Sequence, residues 1–292
     1  MSVGPQFEPL VPRRAEIAPG FAVSRVLPQR TRRTVGPWCF ADYYRAEDAA
    51  LDVFAHPHIG LQTVSWLFRG ALDHHDSLGN ALRIVPGQLN LMTAGRGIAH
   101  AEMSVQGKTD PHGLQLWIAL PEGERRTASQ FERHVDLPAF DAGGATVRVV
   151  IGESGGFRSP ARTYAPTIAL DVAATRSGVV HIPVNPAHEH AVMLVDGRAS
   201  IADTPLEEAM LYYLGQGRES ISTALDDAAH LFVLGGAPFG ERLVMWWNFV
   251  ARSPEEIALA RAEWIHGSFA TIAGFEDRRL VAPPLPPNLI AR

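Results

Sequence analysis

The fold is decided by residues 56–80, HPHIGLQTVSWLFRGALDHHDSLGN, and by residues 86–103, PGQLNLMTAGRGIAHAEM. In both stretches, apolar and polar residues alternate in short runs that end at Gly, Pro, Asn or Asp, which is typical of short β-strands joined by turns. Asp76–Asn80 has the composition of a hairpin turn, and Pro86-Gly87 begins another. Because the same pattern fills residues 20–120, the sequence predicts a closed barrel or jelly roll.

Two pairs of side chains that can bind a metal lie in these stretches. Residues two apart on a strand point to the same face, so His56 and His58 direct two imidazoles to one place. His100 and Glu102 repeat the spacing with an imidazole and a carboxylate. On facing strands the two pairs would form a four-ligand pocket suited to Fe, Mn, Ni, Cu or Zn, among which ligand type does not choose. The chain has twelve histidines, so chance pairs are common and spacing alone leaves a purely structural role open.

Chain length and a faint internal repeat indicate two domains. The 292 residues are about twice the usual size of one domain, and a hydrophobic content of 46% is ample for two cores. The His-x-His pair of the first half returns as His188 and His190, again leading into an apolar strand. We therefore predict an N-terminal metal-binding barrel over residues 1–155. Residues 156–292 are predicted to form a second barrel without metal, a closing helix and a tail.

The closing helix and the tail have clear sequence signals. Ser253 is a good N-cap, Pro254 suits the first helical position, and Glu256 completes a Ser-x-x-Glu capping box before an apolar run. We predict a helix that reaches Trp264 and packs across a barrel. The proline-rich segment 283–287 cannot be helical and is predicted to be an extended strap or disordered.

Composition excludes several classes of protein. A net charge of -5 provides no basic field for a phosphate backbone, so we expect no direct nucleic-acid partner. The single cysteine, Cys39, cannot form an intrachain disulfide, which favours a reducing compartment and an ordinary buried thiol. The N-terminal segment has no apolar core of a signal peptide, and no apolar run approaches the roughly 20 residues that span a bilayer. We expect a cytoplasmic monomer that does not bind membranes.

Residues 56–80 and 86–103 resemble the hallmark segments of the pirin family. The resemblance is strong from Arg32 to Gly123 and weaker through HEHAVMLVDG at 188–197 and WWNFVARSPEEIALARAEW at 246–264. Pirins are bicupins, so the resemblance implies an all-β fold of two cupin (jelly-roll) β-barrels packed face to face, with a short C-terminal helix.

The resemblance also implies a metal site. Pirins hold one non-haem iron in the N-terminal barrel through three His and one Glu, which correspond to His56, His58, His100 and Glu102, while the C-terminal barrel normally lacks metal. The implied cofactor is one divalent metal, Fe(II) before Mn, Ni, Cu or Zn.

Two positions depart from the family pattern. Pirins commonly have Arg and then Glu within the first motif, where this chain has Ile59 and Gln62. The loss of two charged groups could alter substrate choice, redox tuning or surface contacts. Gln62 also stands where many cupins place a glutamate ligand, and because a neutral amide is a poor ligand, that role is left to Glu102.

Several other residues invite a functional interpretation that we do not adopt. His74 and His75 border a hairpin turn, and alternation lets one of them face the barrel interior, but neither is assigned a ligand role. His188 and His190 have no His-x-Glu partner at a comparable distance, so a second metal site is not expected. His112 is interpreted as a group at the rim of the site or beside the ligands.

Glycines and aromatic residues also have structural interpretations. Gly95-Arg96-Gly97 is predicted to be a tight turn, because no strand-to-helix transition surrounds it as a phosphate-binding loop would require. Trp246, Trp247 and Phe249 are predicted to fill the core of the second barrel.

The resemblance implies two kinds of activity. Some bacterial pirins resemble quercetin 2,3-dioxygenases, which implies a small aromatic substrate, O₂, and Glu102 as general base while it remains a ligand. Leu61, Leu91 and Met92 are then candidates for apolar walls. The alternative is an iron- and redox-sensing regulatory protein without catalysis that binds a transcription cofactor-like partner, as animal pirins do. The acidic pI near 6.2 and the absent charges at the first motif disfavour that alternative.

Overall fold

The computed structural model describes residues 7–18, 20–46, 50–105 and 110–292. Two compact units are formed, and each combines distant parts of the chain. Unit 1 takes the described residues up to Arg13, Ser24–Ala41 and His134–Phe239. Unit 2 takes the described residues of Arg14–Val23, Asp42–Arg133 and Gly240–Arg292.

Short strands make up the first part of the chain. They are β1 Glu8–Leu10, β2 Arg13–Ala18, β3 Phe21–Leu27, β4 Trp38–Arg45, β5 Val53–His58, β6 Leu61–Arg69, β7 Leu72–Asp76, β8 Ala81–Ile84, β9 Leu89–Thr93, β10 Ile98–Ser104 and β11 His112–Ala119.

The later part of the chain continues with strands and ends with a helix. These elements are β12 Gln130–His134, β13 Ala139–Asp141, β14 Ala145–Ile151, β15 Glu153–Ser154, β16 Phe157–Arg158, β17 Thr167–Ala174, β18 Gly178–Pro183, β19 Glu189–Asp196, β20 Ala199–Ile201, β21 Thr204–Pro205, β22 Leu211–Gly215, β23 Ser220–Leu225, β24 His230–Gly236, β25 Val244–Trp246, β26 Phe249–Ala251 and α1 Pro254–Ile265.

Each unit is built on one large and one small sheet. The sheets that lie mainly in unit 2 have the orders β12-β9-β6-β11-β4-β3-β2 and β5-β10-β7-β8. In unit 1 the orders are β1-β22-β19-β24-β17-β14-β13 and β18-β23-β20-β21. The inward residues of both unit 1 sheets, such as Val192, Ile182 and Ile221, share one buried apolar cluster. The prediction of an all-β fold of barrel type is confirmed.

The predicted turn at residues 76–80 forms around an aspartate side chain. Asp76 Oδ1 accepts hydrogen bonds from the backbone N–H groups of Leu78 (2.9 Å) and Asn80 (3.0 Å), and Gly79 has a φ of +90°. Turns of this kind favour Asp at the first position and glycine where φ is positive, so this turn could be predicted from the sequence.

The predicted helix is confirmed at its N-terminus. The Ser253 side chain accepts a hydrogen bond from Glu256 N (3.3 Å), and Pro254 is the first helical residue. The Glu256 carboxylate accepts from Arg252 N (3.0 Å) rather than from the N-cap itself. On the buried face of the helix, Ile257 joins a cluster with Phe249. Within the described residues, no helix combines the length and apolar composition that crossing a bilayer requires.

Residues 240–292 belong to unit 2, so the compact units do not coincide with the predicted division at residue 155. The reason is apolar packing: Trp246 and Trp247 join clusters with Ala55 and Trp264, which are also part of unit 2. The prediction that Trp246, Trp247 and Phe249 fill the core of the second barrel is therefore wrong, because the chain leaves that barrel at Phe239.

Candidate metal centre

Two neighbouring antiparallel strands, β5 and β10, position the predicted pairs. His100 lies directly opposite His56, and Ile98 lies opposite His58. A bulge follows His100, so that Glu102 is paired with Val53. Strand alternation and this register bring side chains separated by more than 40 residues to one face of the small sheet.

Three histidines meet in one buried cluster. The ring centroids of His56 and His100 are 4.3 Å apart, those of His58 and His100 are 4.9 Å apart, and those of His56 and His58 are 5.0 Å apart. The Nε2 atoms of His58 and His100 are separated by 3.0 Å. One ring nitrogen from each histidine lies within 4.8 Å of the others, a spacing that one divalent metal ion can bridge.

Backbone carbonyl groups decide the tautomers of two of these rings. His56 Nδ1 is 2.8 Å from the carbonyl oxygen of Phe54, and His58 Nδ1 is 2.9 Å from that of Asn248. Because a carbonyl can only accept, both Nδ1 atoms donate and both Nε2 atoms carry a lone pair. Histidine ligands of metals are commonly oriented by such a bond from the other ring nitrogen. The donor set therefore fits a divalent metal.

Burial keeps the cluster neutral. It lowers the pKa of His56 to about 4, against the opposing effect of the Phe54 carbonyl. Burial, followed by the neighbouring imidazoles, holds the pKa of His100 well below its usual value. Burial and then His56 act in the same direction on the pKa of His58. Neutral imidazoles are the form that binds metal, so the rings need not lose a proton near pH 7.

Glu102 belongs to a group of possible ligands that includes His100 but not His56 or His58. It lies in a second buried group, with His74 and His100, whose possible ligand atoms are again within 4.8 Å of one another. Ser65 Oγ donates to Glu102 Oε1 at 2.9 Å. Burial raises the pKa of Glu102, and His74 and Ser65 counteract this. The two groups overlap at His100, and a ligand role for all four predicted residues stays a prediction.

His74 is a residue that sequence reasoning did not place at the site. It is paired with Glu102 across β7 and β10, and its ring lies 5.4 Å from that of His100. Its Nε2 is 3.2 Å from Asp76 Oδ2, and Asn80 Nδ2 donates to the same oxygen at 2.8 Å. The available signal was the spacing of His74 and Asp76, which puts both on one face. His75, on the other face, contacts the ring of Phe275.

The two departures from the family pattern occupy apolar or neutral surroundings. Ile59 forms an isolated β-bridge with Phe249 and packs against the buried apolar cluster that contains Phe249. Gln62 is fully buried, and its Nε2 donates to Thr93 Oγ1 at 2.9 Å. An ionised glutamate at Gln62 could not donate to Thr93, and its buried charge would need a partner that compensates it.

The residues proposed as apolar walls, Leu61, Leu91 and Met92, lie on two different faces of the large sheet. Leu61 shares the face of Ser65 by alternation, and Met92 joins that face because it is paired with Thr63. Leu91 is paired with Val64 and therefore lies on the opposite face of the sheet from Ser65. Because the Ser65 side chain contacts Glu102, Leu91 is not on the face of the sheet that lies toward Glu102.

Two further interpretations concern residues beyond the cluster. His112 is buried, and its Nε2 lies 3.0 Å from the Tyr43 hydroxyl. Gly95-Arg96-Gly97 forms the predicted tight turn, in which Gly97 N donates to Ala94 O at 2.9 Å.

A fragment ending at Gly155 should fail to fold cooperatively. It lacks Asn248, which accepts the hydrogen bond from His58, and Phe275, which helps to cover Ala55 and Ala99. Loss of these groups exposes apolar surface of unit 2 and leaves the His58 ring without its acceptor. Urea unfolding followed by circular dichroism would measure this, with the full chain as reference. A soluble fragment with a cooperative transition would contradict the prediction.

His188 and His190 lie in unit 1, away from any group that could complete a metal site among the described residues. His190 is fully buried. Burial lowers the pKa of His190 to about 4, and His188 and Arg218 act in the same direction against the opposing Gly215 carbonyl.

His190→Leu should make the protein less sensitive to acid. The pKa of His190 falls from 6.5 in the unfolded chain to about 4 in the folded one, so only the unfolded state binds a proton between these values. His190 therefore does not reduce the free energy of unfolding of the wild type above pH 6.5, but reduces it by roughly 3 kcal/mol as the pH falls to 4. The variant lacks this imidazole and should not show that decrease. Urea unfolding at several pH values would measure the difference. His181→Leu, which removes an exposed histidine, is the control, and equal pH dependence in wild type and His190→Leu would refute the prediction.

Comparison with known proteins places these features in a family. Residues 20–118 match the pirin family model, and residues 169–270 match the model of the pirin C-terminal cupin domain. A Pseudomonas aeruginosa protein named as a candidate quercetin 2,3-dioxygenase is 41% identical over 280 residues, which are 94% of this chain and 89% of that protein. A pirin-like protein of Caulobacter vibrioides is 33% identical over 87% of this chain and 91% of its own length.

A solved structure agrees with the sequence matches. The crystal structure of quercetin 2,3-dioxygenase from Acinetobacter baumannii has a TM-score of 0.92 and 37% sequence identity, and the match covers 98% of this chain and 97% of that one. The two family models together span both units and include the histidine cluster. This chain therefore belongs to the pirin family and has its two cupin-type domains.

Proposed function

We propose that the chain is a dioxygenase that binds one Fe(II) through His56, His58, His100 and Glu102 and acts on a flavonol such as quercetin with O₂. The observation that carries the proposal is the buried cluster of three neutral imidazoles, two of them with Nε2 lone pairs fixed by carbonyl acceptors. Relatives at 41% and 37% identity bear the name quercetin 2,3-dioxygenase, the first of them as a candidate.

Glu102 is the residue that would accept the proton of the flavonol hydroxyl. When bound, the iron supplies O₂ chemistry and acts as a Lewis acid toward the flavonol hydroxyl. The hydroxyl O–H bond breaks, the proton passes to a carboxylate oxygen of Glu102, and the flavonol is left as an anion. The bond from Ser65 Oγ to Oε1 orients this carboxylate.

The surroundings of the cluster favour an apolar aromatic substrate. The rings of Trp117 and His58 pack in a T-shaped arrangement, with centroids 5.2 Å apart. Leu61 and Met92, on the face of Ser65, are almost completely buried. Apolar side chains beside the ligands exclude water and strengthen electrostatic interactions with the substrate anion.

Quercetin depletion by protein loaded with Fe(II) would test the proposal. We expect loss of the flavonol absorption band together with consumption of O₂, and neither of these with His58→Ala. His181→Ala, which removes an exposed histidine of unit 1, should behave as the wild type does. Absence of turnover by the fully loaded wild type would reject the dioxygenase proposal for this substrate.

A further inference from the structure

A two-residue turn beside the histidine cluster has a strained backbone. The turn consists of Trp247 and Asn248 and joins β25 to β26, with Trp246 paired to Phe249 across it. Trp247 has a φ of +52°, in the left-handed region. Hairpin turns of this length favour Gly, Asn or Asp at positions of positive φ, which is an outlier for a bulky residue. The conformation therefore needs contacts around the turn that compensate the strain.

The aromatic side chain of Trp247 makes such contacts. Its ring packs in a T-shaped arrangement on Phe249, with centroids 5.5 Å apart, and its centroid lies 6.5 Å from that of Trp264 in α1. Trp264 is itself fixed, because its indole N–H donates to Leu280 O at 2.9 Å. Aromatic packing on two sides stabilises a backbone conformation that the residue would otherwise avoid.

The same turn carries the hydrogen-bond acceptor of a cluster histidine. The carbonyl oxygen of Asn248 lies 2.9 Å from His58 Nδ1, which leaves the lone pair of the ring on Nε2. The strand after the turn runs beside the chain that follows His58, because Val250 N donates to Ile59 O at 3.1 Å. An added Cβ at Gly60 would lie 2.1 Å from Val250 O, so the two backbones are in close contact. With the strand fixed in this way, the conformation of the turn decides where the Asn248 carbonyl points.

We propose that Trp247 is a positioning residue of the metal centre. Its ring stabilises the strained turn, and the turn directs the Asn248 carbonyl to His58 Nδ1. The resulting hydrogen bond keeps the Nε2 lone pair of His58 available to a metal ion. Loss of a hydrogen bond that orients a metal-binding histidine typically lowers metal affinity by about 10- to 100-fold. The inference rests on the proposed metal site, but it does not depend on the flavonol reaction.

Titration of the metal-free full chain with Co²⁺, followed by visible absorption, would measure the affinity. We expect Trp247→Gly to bind Co²⁺ at least about tenfold more weakly than the wild type, because the turn loses the ring that holds it. Trp247→Ala should bind more weakly still, since it loses the ring and keeps the steric cost of a positive φ. Trp247→Phe should restore most of the affinity. A role in packing alone predicts that Trp247→Ala binds Co²⁺ at least as tightly as Trp247→Gly, and that order would overturn the proposal.

The tautomer of His58 gives a readout that needs no metal. In long-range ¹H–¹⁵N NMR spectra of the metal-free chain labelled with ¹⁵N-histidine, wild-type His58 should carry its proton on Nδ1, and His58→Ala identifies its signals. Trp247→Gly should move a measurable share of the proton to Nε2, because the carbonyl acceptor is displaced. An unchanged tautomer in both Trp247→Gly and Trp247→Ala would refute the proposal. Failure of the wild type to bind Co²⁺ would instead reject the metal site, and the tautomer would then decide the role of Trp247.

Ala202→Gly is the matched control for backbone strain. Ala202 has a φ of +46° at an exposed position of unit 1, so glycine relieves strain there without changing any residue of unit 2. This variant should match the wild type in Co²⁺ affinity and in the tautomer of His58. If thermal unfolding shows that the glycine and alanine variants of Trp247 do not fold, Trp247→Leu, which keeps apolar volume, should show both changes to a smaller extent. Wild-type values for Trp247→Leu would then count against the proposal.

Discussion

Replacing His100 with alanine should lower the metal content of the purified protein to nearly none. His100 is the residue shared by both groups of potential ligands, and its ring lies within 5 Å of the rings of His56 and His58, measured between centroids. Its removal leaves two imidazoles and a carboxylate that no longer surround one point, and metal affinity depends on the number and geometry of ligands. We expect His56→Ala and His58→Ala to have the same effect.

Metal per chain, measured by inductively coupled plasma mass spectrometry after gel filtration, would test this expectation. His181→Ala is the matched control, because His181 is exposed and bonded only to Ser222 among the described contacts. Thermal unfolding of each variant would show that metal loss is not a consequence of unfolding. Wild-type metal content in all three cluster variants would remove the assignment.

The strands and the histidine cluster were predictable because both depend on local periodicity. Side chains two apart on a strand share a face whatever the rest of the protein does, so His56 with His58, and His100 with Glu102, could be paired from spacing. The hairpin at Asp76 and the N-cap at Ser253 were equally readable, because each depends on hydrogen bonds within about four residues.

What the sequence did not indicate depends on contacts between distant segments. The acceptor for His58 is Asn248, 190 residues away along the chain, and no local pattern connects them. The return of residues 240–292 to unit 2 likewise results from packing of Trp264 and Phe275 against Ala55. The position of Leu91 was missed because its face follows from the β6 and β9 register, which spacing within one strand does not determine.

Glu102→Gln should reduce kcat for quercetin by at least about 10²-fold while the protein keeps a substantial share of its metal. Under the proposed function, the carboxylate accepts the proton of the flavonol hydroxyl, and a neutral amide cannot do so. Three imidazoles remain to hold a divalent ion, and glutamine keeps an oxygen at the same place, so metal affinity should fall without being lost. The change preserves side-chain size in a buried position, which limits its structural effect.

The measurement must separate proton transfer from metal loss, so kcat is normalised to bound metal at full loading. Glu219→Gln, which neutralises an exposed carboxylate of unit 1, should leave both quantities unchanged. Ser65→Ala removes the hydrogen bond to Glu102 Oε1 but keeps the carboxylate, so the pKa of Glu102 should rise and the pH dependence of kcat should shift to higher pH. Unchanged kcat in fully loaded Glu102→Gln would rule out the base role. A fall in kcat that only follows metal content would show instead that Glu102 acts by holding the ion.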